Sequence, residues 1–529
     1  VSKNLKHIGI VASATLLSRV LGLGRDILTT AVFGTSALNS AFVTAFTLPN
    51  LFRRLLGEGA LTAALVPTLH EEMARARREG AFLLVSQVTS WLLVVTTIVV
   101  VLSMVVLGQA ERLAGLAMEW GVSEETARRW IQGADLAIVL FPYLIFVCLA
   151  AAFSATLQTL NRFLEPALSP IWLNVSMITL LMGGAYWGWA DGPDGAMGWL
   201  CGGVLLGGFF QMAVPAVTLM REGWRPRLDL GAGDALRGIV RLMVPTLFGS
   251  AIYLVNMAVS RLVGLSLNDA AASLLNLATR LMELPIGVFA VAVSTVVFPL
   301  IAKYASQGDH ANLVASYRKG MRLILVINIP AAVGLMVLAT PIIRLLFQRG
   351  AFTEADTQSM MPILAVFALG LPFFSFVNLV LRAFYAEKDT TTPVHAALLS
   401  FLINLGLSLA LMETLSTVGL AIASNVAVMV QAWYLQLHLA RKRPAMAFRH
   451  LANDAAKVLI ASLLMGAVVA AGWWCRRLAP EGKLVDALAL AVLIAGGVLI
   501  YGGLAWVFKV EGRDDLVALL RRRRMKSAT

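Results

Sequence analysis

Arg19, Arg25 and Asp26 stand inside the first apolar stretch of this 529-residue chain, in the segment Ser18-Arg-Val-Leu-Gly-Leu-Gly-Arg-Asp26. An arginine at the centre of a membrane helix costs roughly 2.5–3.5 kcal/mol on insertion scales, so such charges normally face a polar cavity and mark a ligand or ion pathway. The intrusion recurs at Arg53 and Arg54 with Glu58, and again at Arg280 with Glu283. Fixed cations carried through several apolar segments point to an anion held inside the membrane. Arg19 and Arg25 lie about 120° apart on a straight helix, and would share one ligand more readily if the helix bent at Gly22 or Gly24. Asp26 is placed either to orient Arg25 or to release it when a ligand arrives. Arg280 and Glu283, at i and i+3, can pair on one helix face. For Arg53 and Arg54, near a helix end, snorkelling and the bias of cations toward the cytoplasm explain the charges as well as a site does.

Positioning such residues requires membrane helices. With 59% hydrophobic and 14% charged residues and a mean hydropathy of +0.79, the chain lies far from the roughly 25% charge of soluble domains, and reads as a polytopic, all-α integral membrane protein. The net charge of +13 is spread over the loops between spans, where topology alone would put it, so nucleic acid is not indicated as a partner. Cys148, Cys201 and Cys475 sit in or beside separate apolar segments without metal-ligand or disulfide spacing. The N-terminal run resembles a signal peptide until Arg19, Arg25 and Asp26 interrupt it, and reads instead as an uncleaved first span.

Asking for about 20 mostly apolar residues per span gives segments near 8–33, 37–62, 83–108, 133–160, 166–188 and 197–220. A second set lies near 237–263, 271–302, 318–347, 357–385, 391–412 and 417–440, and two more near 453–475 and 485–508. Alternate loops carry Arg75, Arg77 and Arg78; Arg221, Arg225 and Arg227; Lys303, Arg318 and Lys319; and Arg441, Lys442 and Arg443, with Arg521 to Arg524 in the tail. Both termini are therefore expected in the cytoplasm. Leu48-Pro49, Val66-Pro67 and Pro166 have counterparts at Leu284-Pro285, Phe298-Pro299 and Pro393. The offset of about 230 residues fits two six-helix lobes repeated in parallel. The expected organisation is a first lobe over 1–228, a second over 229–445, and two further helices with a basic tail over 446–529. Glycine pairs at 202–203 and 207–208 read as close helix packing, and Trp473 and Trp474 as interfacial anchors.

The stretches Leu17-Ser-Arg-Val-Leu-Gly-Leu-Gly-Arg-Asp26 and Ala41-Phe-Val-Thr-Ala-Phe-Thr-Leu-Pro-Asn-Leu-Phe-Arg-Arg54, with Gly57-Glu-Gly-Ala60, Ala278-Thr-Arg-Leu-Met-Glu-Leu-Pro-Ile-Gly287 and Phe384-Tyr-Ala-Glu-Lys-Asp-Thr-Thr-Thr-Pro393, closely resemble the MurJ (MviN) family of bacterial lipid II flippases. The resemblance implies the fold of the MOP exporter superfamily, two six-helix lobes arranged as a V around a central cavity plus two C-terminal helices. It implies transport of lipid II, an undecaprenyl-diphosphate-linked disaccharide pentapeptide, across the bacterial inner membrane to the peptidoglycan synthesis machinery. Cavity arginines of the family fall by motif on Arg19, Arg25, Arg54 or its neighbour Arg53, and Arg280; Asp26, Glu58, Ser273 and Glu283 match accompanying polar positions. Ser40 and Thr279 stand where relatives usually have acids, which leaves open any mechanism needing carboxylates there. A diphosphate is the kind of ligand several guanidinium groups bind well, in bidentate, charge-assisted fashion.

The same superfamily leaves an alternative, an exporter of another polyprenyl-linked saccharide or of a drug, against which the two extra helices and the arginine motifs argue. A membrane enzyme would need a clustered acid/base or metal set, and none is apparent. No Walker A pattern suggests ATP hydrolysis. The resemblance implies no cofactor, but dependence on membrane potential or on an ion such as Na⁺. The last two spans, outside the repeat, are expected to form a groove for the lipid tail, with Gly466 and Gly497 among its small residues, the alternative being that they only brace the second lobe.

Overall fold

The computed structural model describes residues 2–52, 61–387, 389–476 and 482–511. Among them the chain is all helix, without a strand. The helices are α1 (Ser2–Phe33), α2 (Ala37–Phe52), α3 (Thr62–Leu107), α4 (Ala110–Glu119), α5 (Glu124–Leu140), α6 (Tyr143–Thr159), α7 (Leu164–Tyr186), α8 (Gly192–Arg221) and α9 (Asp234–Leu267). They continue as α10 (Ala271–Ser306), α11 (His310–Val337), α12 (Ala339–Phe347), α13 (Glu354–Ala386), α14 (Thr391–Lys442), α15 (Ala452–Arg476) and α16 (Lys483–Val507). Eight described helices are long and apolar enough to cross a membrane, or nine if the bent pair α5 and α6 is one span. This is a multi-pass membrane protein.

Every expected apolar segment falls on helix over its described residues, 53–60 of the second lying outside them, but several have different limits. The polar stretch from His70 to Arg78, expected as a loop, continues α3 without a break. Glu, Met, Ala and Arg are good helix formers and leave no reason to stop at the membrane boundary. The segment 133–160 is broken at Phe141-Pro142 and bent by 43°, because a proline has no amide hydrogen to continue the ladder. The segment 318–347 is interrupted at Leu338 and resumes as α12. α14 has 52 residues, with Ser416 at φ 50° and ψ −135° inside it. A straight helix of that length would measure about 78 Å against a hydrocarbon core of about 30 Å. The break at Ser416 lies between the expected spans 391–412 and 417–440.

The chain divides into two compact units. The first comprises Val1–Ser273 together with Arg349–Phe352. α7 and α8 form its tightest pair, α7 also packs on α1, α6 on α3 and α8, and α5 on α2. The glycines of α8 permit this closeness: a Cβ on Gly203 would lie 2.8 Å from the Cα of Met177, and one on Gly207 2.7 Å from the Cα of Leu173. In a membrane, where lipid is as apolar as a leucine face, such van der Waals contact and interhelical hydrogen bonds hold helices together. One such link runs from Tyr143 Oη to Gln211 Oε1 (3.1 Å) and from Gln211 Nε2 to the Ser169 carbonyl (3.0 Å). Cys148 and Cys201 are buried in this unit. α9, the seventh expected span, packs on α2, α3 and α5.

The second unit comprises Leu274–Gln348 and Thr353–Thr529. α13 packs between α11 and α14, α15 lies on α11, and α16 on α15. Thr353 and Asp356 form a reciprocal capping box that starts α13. Arg322 of α11 donates from Nε to Asp454 of α15 at 2.9 Å, and Tyr501 of α16 donates to the Val326 carbonyl at 2.8 Å. The two glycines expected to line an open groove are packed instead. A Cβ on Gly466 would come within 2.5 Å of Val333, and one on Gly497 within 3.2 Å of Val469. Cys475 is exposed, as is Trp474.

Candidate functional site

Within the first unit, α1 carries its charges on one continuous helix, and α7 supplies the groups that receive Arg25. Arg25 and Asp26 are both buried, at 9% and 7% exposure. Neighbours on a helix do not ordinarily face each other, yet the Arg25 side chain curls so that Nε and Nη2 both donate to Asp26 Oδ1, at 3.1 and 2.7 Å. Its Nη1 donates to Asn174 Oδ1 at 3.2 Å and points at Met177 Sδ at 3.7 Å. Asn174 in turn donates from Nδ2 to the Ser18 carbonyl at 3.2 Å. Its amide lies over Gly22, where a Cβ would be 3.7 Å from Asn174 Nδ2. That is ordinary van der Waals contact, so an alanine at this position would pack against the α7 amide without displacing it.

This arrangement settles a buried cation without neutralising its donor capacity. Burying a charge is tolerable only when it is paired and hydrogen-bonded, and Asp26 with Asn174 does both. A guanidinium has five N–H donors; the second hydrogen of Nη2 has no partner among the described residues. Arg19 is half-buried and makes no ion pair among the described residues. It does not share a protein partner with Arg25.

A second cluster joins α2, α5 and the α9–α10 turn. Ser40, fully buried, donates to the Asp269 carbonyl at 2.5 Å and accepts from the Ser273 amide at 3.3 Å. It thus caps the N-terminus of α10 from another helix, in the manner of an N-cap hydroxyl. The Ser273 hydroxyl is turned to the Ala270 carbonyl at 3.0 Å. Arg129 of α5 is buried and bonds Asp269 Oδ1 at 3.0 Å, Thr126 Oγ1 at 3.0 Å and the Ser266 carbonyl at 3.3 Å. Trp130 Nε1 donates to Ser266 Oγ at 2.8 Å.

In the second unit, Arg280 Nη1 and Glu283 Oε2 stand 3.9 Å apart on α10, with side chains 39% and 48% exposed. Thr279 donates to the Leu275 carbonyl at 2.6 Å within the same helix. Arg280 and Glu283 form a loose, water-accessible pair of the kind that contributes little to stability. Arg53, Arg54 and Glu58 lie outside the described residues. Among the described residues no three His, Cys, Asp or Glu side chains are grouped to hold a metal ion.

Sequence reasoning missed Asn174 as a partner of Arg25 and Arg129 as a buried residue. For Arg129 a signal was present: Ser123 before Glu124 and Glu125 marks a helix start. Gly133, one turn beyond Arg129, sits where a Cβ would be 3.0 Å from Leu265 of α9, so this face is the packed one.

A family model described as "Lipid II flippase MurJ" matches residues 29–492, a range that includes Arg280 and Glu283 and begins just after Asp26. The chain is 32% identical over 511 residues to the "Probable lipid II flippase MurJ" of Bdellovibrio bacteriovorus, covering 96% of this chain and 95% of that one. Among solved structures, "Lipid II flippase MurJ, inward closed conformation" superposes with a TM-score of 0.74 at 26% identity, covering 96% of this chain and 99% of the other. An inward-facing multidrug resistance MATE family transporter of the MOP superfamily, at 14% identity and a TM-score of 0.65 over 83% of this chain and 98% of that one, shares the fold. A match across most of the chain, in sequence and in structure, identifies it as a member of the MurJ family.

Proposed function

We propose that this protein flips lipid II from the cytoplasmic to the periplasmic leaflet of the bacterial inner membrane, by alternating access, with both termini in the cytoplasm and its product passed to peptidoglycan synthesis. Family membership over most of the chain carries this reading. The chemistry of Arg25 supports it. A guanidinium held by one carboxylate and one amide, with a donor still unassigned, is prepared to exchange its internal partner for phosphate oxygens, the planar fork that arginine binds best. Arg19, Arg280 and one or both of Arg53 and Arg54 complete the set in this reading, and Asp26 and Glu283 hold their cations between substrates.

The membrane potential is a sufficient drive. A diphosphate leaving an inside-negative cell for the outer leaflet gains about 2.3 kcal/mol per charge for each 100 mV, provided the arginines stay behind. In proteoliposomes without sodium, flipping should rise with an imposed inside-negative potential; a rate that follows a sodium gradient instead assigns the coupling to the ion.

Complementation of cells depleted of their own flippase, with lipid II leaflet position as readout, tests the reading. Wild-type protein should restore flipping, Arg25→Ala and Arg280→Ala should abolish it at normal expression, and Arg25→Lys should rescue poorly. Normal transport by both alanine variants would overturn the role of the arginines, and failure of the wild type would overturn the substrate.

A further inference from the structure

We propose that α4 is an interfacial helix, seated on the phospholipid surface at the end of α3 through the face formed by Leu113, Leu116 and Trp120. At ten residues it is about 15 Å long, too short to cross a bilayer. It begins two residues after α3 ends, and α3 is a membrane span whose last turns expose Leu102, Val105 and Val106. Within a span, a flank that the protein itself leaves open faces the hydrocarbon of the bilayer. The turn through Gly108, whose amide closes on the Met104 carbonyl at 2.8 Å, keeps the start of α4 within about 10 Å of it.

The faces of α4 are sorted accordingly. At 100° per residue, Leu113, Leu116 and the capping Trp120 lie within about 60° of one another, with Glu111 opposite them and Arg112 and Glu119 on the flank, about 75–95° from the centre of that arc. The three apolar side chains are 55%, 55% and 89% exposed, an unpartnered surface in continuity with the lipid-facing flank of α3. Between the two arcs the small side chain of Ala114, 1% exposed, lets α4 rest on α5. Exposed tryptophan next to apolar residues at a span end is the composition of a membrane–water boundary.

The three charged residues of α4 sum to −1, so the attraction is apolar and does not depend on anionic headgroups. The helix is also braced: beyond Gly121 the chain enters α5 at Ser123, and α5 carries Arg129 and Trp130 to the α9–α10 turn. Seating α4 in the interface therefore sets the depth of α5 within the first unit.

The test uses full-length protein carrying Cys475→Ser, since Cys148 and Cys201 are buried. Single cysteines are placed by Leu113→Cys, Leu116→Cys, Glu111→Cys and Glu119→Cys and spin-labelled in phosphatidylcholine vesicles and in phosphatidylethanolamine/phosphatidylglycerol vesicles. Val105→Cys on α3 serves as the in-lipid reference. Labels at 113 and 116 should show an oxygen-to-nickel collision ratio several-fold above that at 111 and 119, approaching that at 105, and equally so in both lipids. Labels at 113 and 116 as open to nickel as that at 119 would overturn the proposal. So would immobilised labels shielded from both reagents, the signature of a protein partner or a second copy, and so would a contrast seen only with phosphatidylglycerol.

Discussion

Asn174 of α7 holds Arg25 of α1 by bridging two points of that helix, accepting from Arg25 Nη1 and donating to the Ser18 carbonyl, each at 3.2 Å. The bridge fixes the guanidinium plane, and with it the direction in which any anion must approach. Asn174→Ala leaves Asp26 as the only oxygen partner of a buried cation among the described residues. Hydrogen bonds to charged groups contribute about 1.5–3 kcal/mol, so the flipping rate should fall on the order of tenfold to a hundredfold while expression is kept. A rate within twofold of wild type, by lipid II accessibility in the outer leaflet, would remove Asn174 from the site.

Arg129 and Asp269 should respond unequally to mutation. The arginine side chain is 8% exposed and the aspartate 57%. Asp269→Ala strands a buried cation, whereas Arg129→Met leaves a carboxylate that water can solvate. Thermal unfolding in detergent should place Asp269→Ala below wild type by about 1–3 kcal/mol, with Arg129→Met closer to wild type. The reverse order would contradict the burial.

Ser40→Ala removes both the cap on the Ser273 amide and the bond to the Asp269 carbonyl. Losing an N-cap hydroxyl costs about 0.5–2 kcal/mol, so the melting temperature should drop measurably, and Ser40→Thr should recover part of it. An unchanged melting temperature for Ser40→Ala would mean that α10 is capped by other means.

Asp389, in the turn before α14, gives a pH signature. Burial alone would raise its pKa, but hydrogen bonds from Lys442 and from the Thr392 amide and hydroxyl outweigh it and bring the value to about 2. Its unfolded value is about 3.9. The depressed value contributes stability that is fully present above the unfolded pKa and lost as pH falls through about 4 toward 2. Asp389→Asn should lower the melting temperature at pH 7, and the gap should close on acidification through that window. A gap independent of pH between 6 and 3 would rule out the ion pair as its source.

The sequence was most legible where physics acts along the chain. Long apolar runs announced the helices, and the depth of Arg25 within one of them announced a polar role before any fold was known. Close packing by the glycines of α8 was equally readable, since small residues at helical spacing mean backbone contact. What escaped depends on register between distant helices: that Asn174 meets Arg25, or that Arg129, which looks like one more loop charge, is buried against Asp269. Helix limits escaped for a different reason. His70 to Arg78 is polar enough to leave the membrane and helical enough to stay wound, and hydropathy reports only the first property. Gly466 and Gly497 are small because neighbouring side chains press on them, which composition alone cannot distinguish from an open groove.

The first unit is not one continuous stretch of chain. Gly350, at φ +57°, brings its backbone so near Ala31 that a Cβ would lie 2.1 Å from that carbonyl, and the Ala351 amide donates to the same oxygen at 2.8 Å. The pieces are separated by the residues between Ser273 and Arg349. At about 5–20 residues per second of synthesis, the ribosome needs on the order of 4–15 s to pass from one to the other. During that interval the end of α1 carries an open acceptor, so biogenesis of the first unit finishes only after Leu274–Gln348 of the second has been made.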